Sequence, residues 1–286
     1  MHRRTFLTAA ATGFAATAGC LGESDPGANT DGTGDDATDT PTPDPTATPT
    51  QEPASVERVS LAGLQPARIA LGTPDSIGVF GESAGQSLFI SVQTGSENPP
   101  ARSDFAFELD GKTHTPVAKT RRLWRRSESE FGAEYSPSGG WLLFDLPATA
   151  DDPDSARLRW PGGSWQPDPA VRTRLASQNP TFDVSVTAPE TVPVGETPEA
   201  TVAFENTSDV AGTFVLAVNR VGPYIAYAPE AAVRNLLEPG ASGSVTVTPS
   251  FFDESEIAAG DTTQLKFDWY GGETSREIAF VAPDAE

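Results

Sequence analysis

Phe105-Ala106-Phe107-Glu108-Leu109-Asp110-Gly111-Lys112 is the stretch that decides the fold. Phe105, Phe107 and Leu109 alternate with Ala106, Glu108 and Asp110, the period of two that sends successive side chains to opposite faces of a strand. Asp110-Gly111 suits a type I′ turn, which needs positive φ at both central residues, so residues 112–117 are predicted to return as the second strand of a hairpin. The same period extends outward. Leu88, Ile90 and Val92 share one face, with Phe89 and Ser91 on the other. Trp141-Leu142-Leu143-Phe144-Asp145-Leu146 and Ala156-Arg157-Leu158-Arg159-Trp160 supply later strands, ended by Pro147 and Pro161.

A second block opens after Asn179-Pro180. Phe182, Val184 and Val186 alternate with Asp183 and Ser185, and Val202 and Phe204, Phe214 to Val218, then Val245 and Val247 keep the pattern. Leu265, Phe267 and Trp269 oppose Lys266, Asp268 and Tyr270, and Gly271-Gly272 turns the chain into a last strand through Arg276 to Phe280. Residues 229–237 read either as a short helix, with Pro229 in its first turn and Pro239-Gly240 ending it, or as another strand. Short strands with frequent turns predict an all-β chain of two immunoglobulin-like β-sandwiches, residues 56–178 and 179–286. The 286-residue length suits two domains, and 26 Gly with 26 Pro exclude a helical bundle.

Residues 1–19 have a positive start, an apolar middle and a small-residue end, the anatomy of a secretory signal. Its apolar run, residues 6–18, is shorter than the roughly 20 residues that span a bilayer. Arg3 and Arg4, followed by Thr5-Phe6-Leu7, resemble the twin-arginine export motif, which implies export of an already folded chain. Thr17-Ala18-Gly19-Cys20 resembles a lipobox, although Thr17 stands where leucine is usual. The resemblance implies that Cys20 is lipidated, becomes the new N-terminus and holds the chain at the extracellular face of the membrane. The alternative is a plain signal with an incidental cysteine.

Residues 20–55 form a linker of Asp, Thr, Pro, Gly and Ala with eight acids and no base, which cannot build a core. At about 3.1 Å per residue in polyproline II geometry it reaches on the order of 100 Å as a disordered spacer. Its eight threonines from Thr30 to Thr50 are O-glycan acceptors in mucin-like stalks, or simply part of an unmodified tether.

Of 19 basic residues only Lys112, Lys119 and Lys266 are lysine, against 40 acids and a net charge of −21. Molar salt, with a Debye length of about 3 Å, relieves that self-repulsion. The acidic, lysine-poor composition resembles that of extreme halophiles and implies a salt-loving archaeon. Charge and screening together exclude nucleic acid as a partner. The charge is uneven, with 15 acids and 13 bases in residues 56–178 but 17 acids and 4 bases in residues 179–286. That asymmetry expects the near-neutral block to face a partner or membrane and the acidic one to face brine.

Residues 105–114 followed by Gly140-Trp141-Leu142-Leu143-Phe144-Asp145-Leu146-Pro147 resemble the immunoglobulin-like domains of unknown function in secreted prokaryotic lipoproteins, across residues 67–165. Val192-Pro193-Val194-Gly195-Glu196, residues 202–207 and Leu237-Glu238-Pro239-Gly240 resemble cell-adhesion-related immunoglobulin-like domains, across residues 181–282. Neither resemblance brings a catalytic residue. Both imply binding or spacing at a cell surface; a surface protein or acidic glycan is the partner expected of such a chain.

The chemistry left to such a chain is sparse. With one cysteine, Cys20, and one histidine beyond the signal, His114, disulfides and Cys/His zinc sites are excluded, and no metal or cofactor is expected. Gly81-Glu82-Ser83-Ala84-Gly85 fits G-x-S-x-G, but a nucleophile elbow needs strand, turn and helix, and a strand pattern follows Gly85. A Gly-rich turn between strands is expected, and a surface hydrolase using Ser83 or an unpaired carboxylate set is the rival. Acidic turns at residues 151–154 and 253–256 offer oxygen ligands for Ca²⁺ without an EF-hand pattern. Lys119, Arg121, Arg122, Arg125 and Arg126 surround Trp124. They dock anionic headgroups or acidic glycans, or else they pair with Glu128, Glu130 and Glu134. Asn206-Thr207-Ser208 is an acceptor sequon or, alternatively, an Asx turn.

Overall fold

In the first block β1 (Val56–Gln65), β4 (Gly85–Thr94) and β7 (Gly140–Pro147) form an antiparallel sheet in the order β1-β4-β7. A second sheet runs β6-β5-β8-β9, from β5 (Ala106–Leu109), β6 (Lys112–His114), β8 (Arg157–Trp160) and β9 (Gly163–Trp165). The coordinates are a computed structural model that describes residues 55–81, 85–95, 97–118, 123–124, 131–251 and 257–283. Leu88, Ile90 and Val92 face Phe105, Phe107 and Leu109 in one buried core between these sheets, as the alternation requires. The β5–β6 turn has φ of 53° at Asp110 and 70° at Gly111, the positive pair that type I′ demands.

A helix that the alternation did not announce, α1 (Pro169–Ala176), closes this core. The Asp168 carboxylate accepts from the Val171 N–H at 2.9 Å and Pro169 stands in the first turn, a cap and a preset φ that together start a helix. Val171 and Leu175, four apart, turn the same face inward.

The second block pairs a sheet β10-β12-β15 with a sheet β11-β17-β16-β13-β14. The strands are β10 (Phe182–Thr187), β11 (Thr191–Pro193), β12 (Ala200–Asn206), β13 (Gly212–Val221), β14 (Ala228–Leu237), β15 (Ser242–Val247), β16 (Thr262–Trp269) and β17 (Gly272–Val281). Residues 229–237 are therefore strand. β11 alone pairs in parallel, against β17. Val202, Phe204, Phe214, Leu216, Val218, Leu265 and Phe267 fill the core between the two sheets. The final hairpin turns at Tyr270-Gly271, one residue earlier than the Gly-Gly pair suggests, with Trp269 opposite Gly272.

Both cores belong to one compact unit, and a hairpin explains why. β2 (Arg68–Thr73) and β3 (Ser76–Phe80) leave the first block and lie on the outer face of β13. Ile69 and Ile77 pack there on Val215 and Ala217, so β13 is buried on both faces. Each buried Ile or Val contributes on the order of 1.5–3 kcal/mol. The free edge of β3 is satisfied by side chains of the second block. The Asn219 amide accepts from the Ile77 N–H at 2.8 Å and donates to its carbonyl at 2.7 Å, and an Asp268 carboxylate oxygen accepts from the Val79 N–H at 2.8 Å. An edge that would otherwise invite another chain is closed within the molecule.

A third contact crosses the junction. The Arg234 guanidinium of β14 lies 3.9 Å from the Phe131 ring centre and 5.6 Å from that of Phe89, and bonds the Gln65 side chain. Phe89, Trp141 and Leu143 on the outer face of the β1-β4-β7 sheet are buried by this cover and by Leu123.

Candidate functional site

A cavity of about 290 Å³ lies where β2, β4 and β7 meet, and strand register builds it. Gly85 pairs with Pro147, Gln86 with Leu146 and Ser87 with Asp145, so Ser87 and Asp145 share the face turned toward β2. Arg68, the first residue of β2, forms an ion pair with Asp145 in the cavity wall. Pro66 and Gly81 bring the hairpin base together. A Cβ on Gly81 would stand 2.9 Å from the Pro66 oxygen, so a side chain there would open the wall. The buried Gln86 amide donates to the carbonyls of Ala148 and of Pro147, the latter at 3.3 Å. Asn179 fastens the rim by donating to the Gly85 carbonyl at 2.9 Å and the Tyr270 hydroxyl at 3.2 Å.

His114 stands behind this cavity without lining it. Its Nδ1 lies 3.1 Å from the Asp145 carbonyl; a carbonyl only accepts, so Nδ1 carries the proton. Nε2 is buried and has no partner among the described residues. The ring is thus oriented by a backbone oxygen, where a hydrolytic triad uses a carboxylate. Ser83 lies outside the described residues. The motif's first residue, Gly81, comes directly after β3 and its last, Gly85, opens β4, so strands stand on both sides where an elbow needs a helix to follow.

Other sequence candidates have structural roles. The Trp124 ring packs beside Ile69 and Val215, so it is committed to the junction and is not free to stack on headgroups, and the Trp124 backbone N–H donates to the Ile69 carbonyl at 3.1 Å. Lys119, Arg121, Arg122, Arg125 and Arg126 lie outside the described residues, as do Arg3, Arg4, Cys20 and the acidic run 253–256. Asn206 is 0% exposed, which leaves its amide no room for a glycan. Its Nδ2 donates to the carbonyls of Val210 at 2.8 Å and Leu237 at 3.1 Å, and its Oδ1 accepts from the Ser208 N–H at 3.1 Å, so the Asx turn is the arrangement present. In the acidic run 151–154, the Asp152 N–H donates to the Asp110 carboxylate at 2.6 Å, and Asp154 pairs with Arg172 at 3.6 Å. Among the described residues no cluster of three or more His, Cys, Asp or Glu could hold a metal ion.

One charged network escaped the sequence reading. Arg220 and Glu230 form an ion pair at 2.9 Å with both side chains only 2% exposed. Arg220 also donates to the Gly222 and Ser250 carbonyls at 2.8 and 2.9 Å, and the Phe251 ring centre lies 4.6 Å from its guanidinium carbon. Glu230 accepts from the Ser250 N–H at 2.9 Å. The signal was in the register, because Phe214, Leu216 and Val218 face the core and Arg220 is the next residue in that series.

No family model matches the chain, and no curated protein does. Among solved structures, the β-glucosidase of Listeria innocua in complex with isofagomine is similar at 18% identity and a TM-score of 0.30, covering 42% of this chain and 19% of that one. A β-glucosidase of Erythrobacter marinus is similar at 15% identity and a TM-score of 0.28, covering 36% and 16%. The β-D-glucoside glucohydrolase of Trichoderma reesei is similar at 14% identity and 0.27, covering 36% and 19%. This chain spans about a fifth of the length of these enzymes, and likeness at that level carries no statement about its activity. The fold places the chain among all-β proteins of paired, packed sheets.

Proposed function

We propose that this chain is a non-catalytic surface lipoprotein of a halophile, exported through Arg3 and Arg4, held by a lipid on Cys20, and carrying two immunoglobulin-like sandwiches on an extended spacer. The observation that carries the reading is the junction itself. Asn219 and Asp268 close the β3 edge while Ile69 and Ile77 cover β13, so the two cores are packed against one another. A tether followed by a stiff pair of sandwiches suits presentation of a binding surface beyond the envelope, or a structural spacing role within it.

The immunoglobulin-like reading is supported by strand order. A three-stranded sheet of the first, second and fifth long strands facing a five-stranded sheet, with a short parallel strand beside the last, follows the arrangement of such sandwiches. Partners on this reading are the membrane, through Cys20, and a surface protein or acidic glycan. Crosslinking on cells in native brine tests it, with one protein or glycan expected to be captured reproducibly. Detergent partition of wild type against Cys20→Ser tests the anchor, and equal partition removes it. Ester or glycoside turnover lost in Ser83→Ala or in a carboxylate variant would replace the reading with the hydrolase one.

A further inference from the structure

We propose that the cavity between β2, β4 and β7 binds a single neutral sugar ring. The inference rests on the binding-module reading and adds a neutral-sugar site to the partners given there. The cavity's volume of about 290 Å³ lies just below the range of drug-sized sites, about 300–1,000 Å³, and suits one ring more than a chain.

Among the described residues, the polar lining selects against net charge. Arg68 and Asp145 neutralise each other in the cavity wall, so an anion would face the Asp145 carboxylate and a cation the Arg68 guanidinium. A zwitterion would have to part the pair. A hydroxyl group can do what neither can, because it accepts from a remaining guanidinium N–H and donates to a carboxylate lone pair while the pair stays closed. Ser87, a hydroxyl on the same face as Asp145, extends that neutral donor and acceptor set. Pro66 and Pro147 add apolar rings against which the C–H face of a sugar can lie.

The Arg68–Asp145 pair also lacks a sufficient structural reason. Its side chains are 26% and 57% exposed, and pairs at such exposure add about 0–1 kcal/mol. Molar salt weakens them further. Short hydrogen bonds to an uncharged ligand keep their strength in brine, so the chemistry suits a chain with a net charge of −21.

The test uses the full chain in detergent and 3 M KCl. Amide signals of Gly85, Gln86, Ser87 and Leu146 are followed by NMR during titration with the methyl glycosides of glucose, galactose, mannose and N-acetylglucosamine. Glycine betaine and sulfate serve as the zwitterionic and anionic probes. At least one sugar is expected to shift these four signals with a Kd in the low millimolar range. Arg68→Met, at a half-buried position where Met keeps the apolar stem, and Asp145→Asn, at an exposed one, are each expected to raise that Kd about tenfold or more. Silence with all four sugars overturns the proposal, as do shifts that are unchanged in both variants. A larger response to betaine or sulfate than to any sugar also overturns it. Partition of wild type and Cys20→Ser is measured on the same preparations. Silent amides with normal partition therefore remove the sugar site and leave the anchored module standing.

Discussion

Replacing Arg220 by Met tests how the second sandwich is closed at the end where β13 leads into β14. Arg220→Met keeps the apolar stem and deletes three charged hydrogen bonds, to Glu230, Gly222 and Ser250, together with the contact to Phe251. The Glu230 carboxylate, 2% exposed, then keeps only its Ser250 bonds and has no cation beside it. Breaking a buried pair from one side costs about 3–5 kcal/mol, because a charge is left stranded in a low-dielectric site. In a unit of this size each kcal/mol moves Tm by roughly 2–4 °C, so the drop should be about 6–20 °C. The double variant Arg220→Met/Glu230→Leu strands no charge and should be more stable than the sum of the singles by about 1–3 kcal/mol. The assay is urea and thermal unfolding by circular dichroism, in 1 M and 4 M KCl. The loss should be nearly the same at both salts, since bulk ions do not reach a pair at 2% exposure. A cost below about 1 kcal/mol, additive single and double variants, or a loss that disappears in 4 M KCl would refute the reasoning.

Burial raises the Asp268 carboxyl above the usual carboxylate range, with Glu273 adding to the rise and the Val79 N–H opposing it. A carboxyl raised on folding contributes stability below its ordinary pKa and loses it as pH climbs through the raised one. Asp268→Asn should therefore unfold later than wild type at pH 7 and flatten that pH dependence. Asp268→Ala, which leaves the Val79 N–H without its acceptor, should cost about 1–3 kcal/mol in denaturant melts. Tyr135, whose hydroxyl donates to the Pro100 carbonyl at 2.7 Å, is pushed up to about 12, mainly by burial and further by Asp104. Ultraviolet titration should show one tyrosine ionising late, and stability should fall between about pH 10 and 12 in wild type. That alkaline step should be absent in Tyr135→Phe. Gly140 sits at φ 132°, where a Cβ would lie 2.6 Å from the Ala133 oxygen and 2.7 Å from the Glu134 oxygen. Gly140→Ala should lower Tm more than an exposed substitution such as Gly195→Ala, at whose position nothing lies within 4 Å of an added Cβ.

The strands were readable where side-chain alternation coincides with a two-sided environment. Leu88, Ile90 and Val92 were placed on one face and lie in the core, and the Asp110-Gly111 turn has the backbone its residues imply. The helix α1 was missed because eight residues with two inward positions give little periodicity; its signals are the Asp168 cap and Pro169. Phe89 was read as the second face of a half-buried strand. It is buried because Arg234 and Phe131 cover it, and no local pattern encodes a cover that comes from residues 145 and 42 positions away. The cavity was illegible for the same reason, since Arg68 and Asp145 meet across 77 residues. Trp124 and Asn206 were read by residue type as surface groups, and contacts distant in sequence bury or commit both.

By itself the sequence determined that this chain is built from strands, and where many of them turn, because a period of two and positive-φ turn residues act within a few bonds. It also determined the net charge and the leader and spacer composition, which are sums over residues and need no coordinates. Only the tertiary structure decided that β2 and β3 lie on β13, that Asn219 and Asp268 finish their edge, and that Arg220 sits in a core. Those outcomes depend on which surfaces meet after the chain closes on itself, and burial and hydrogen-bond satisfaction at a meeting surface are properties of the pair, not of either stretch alone.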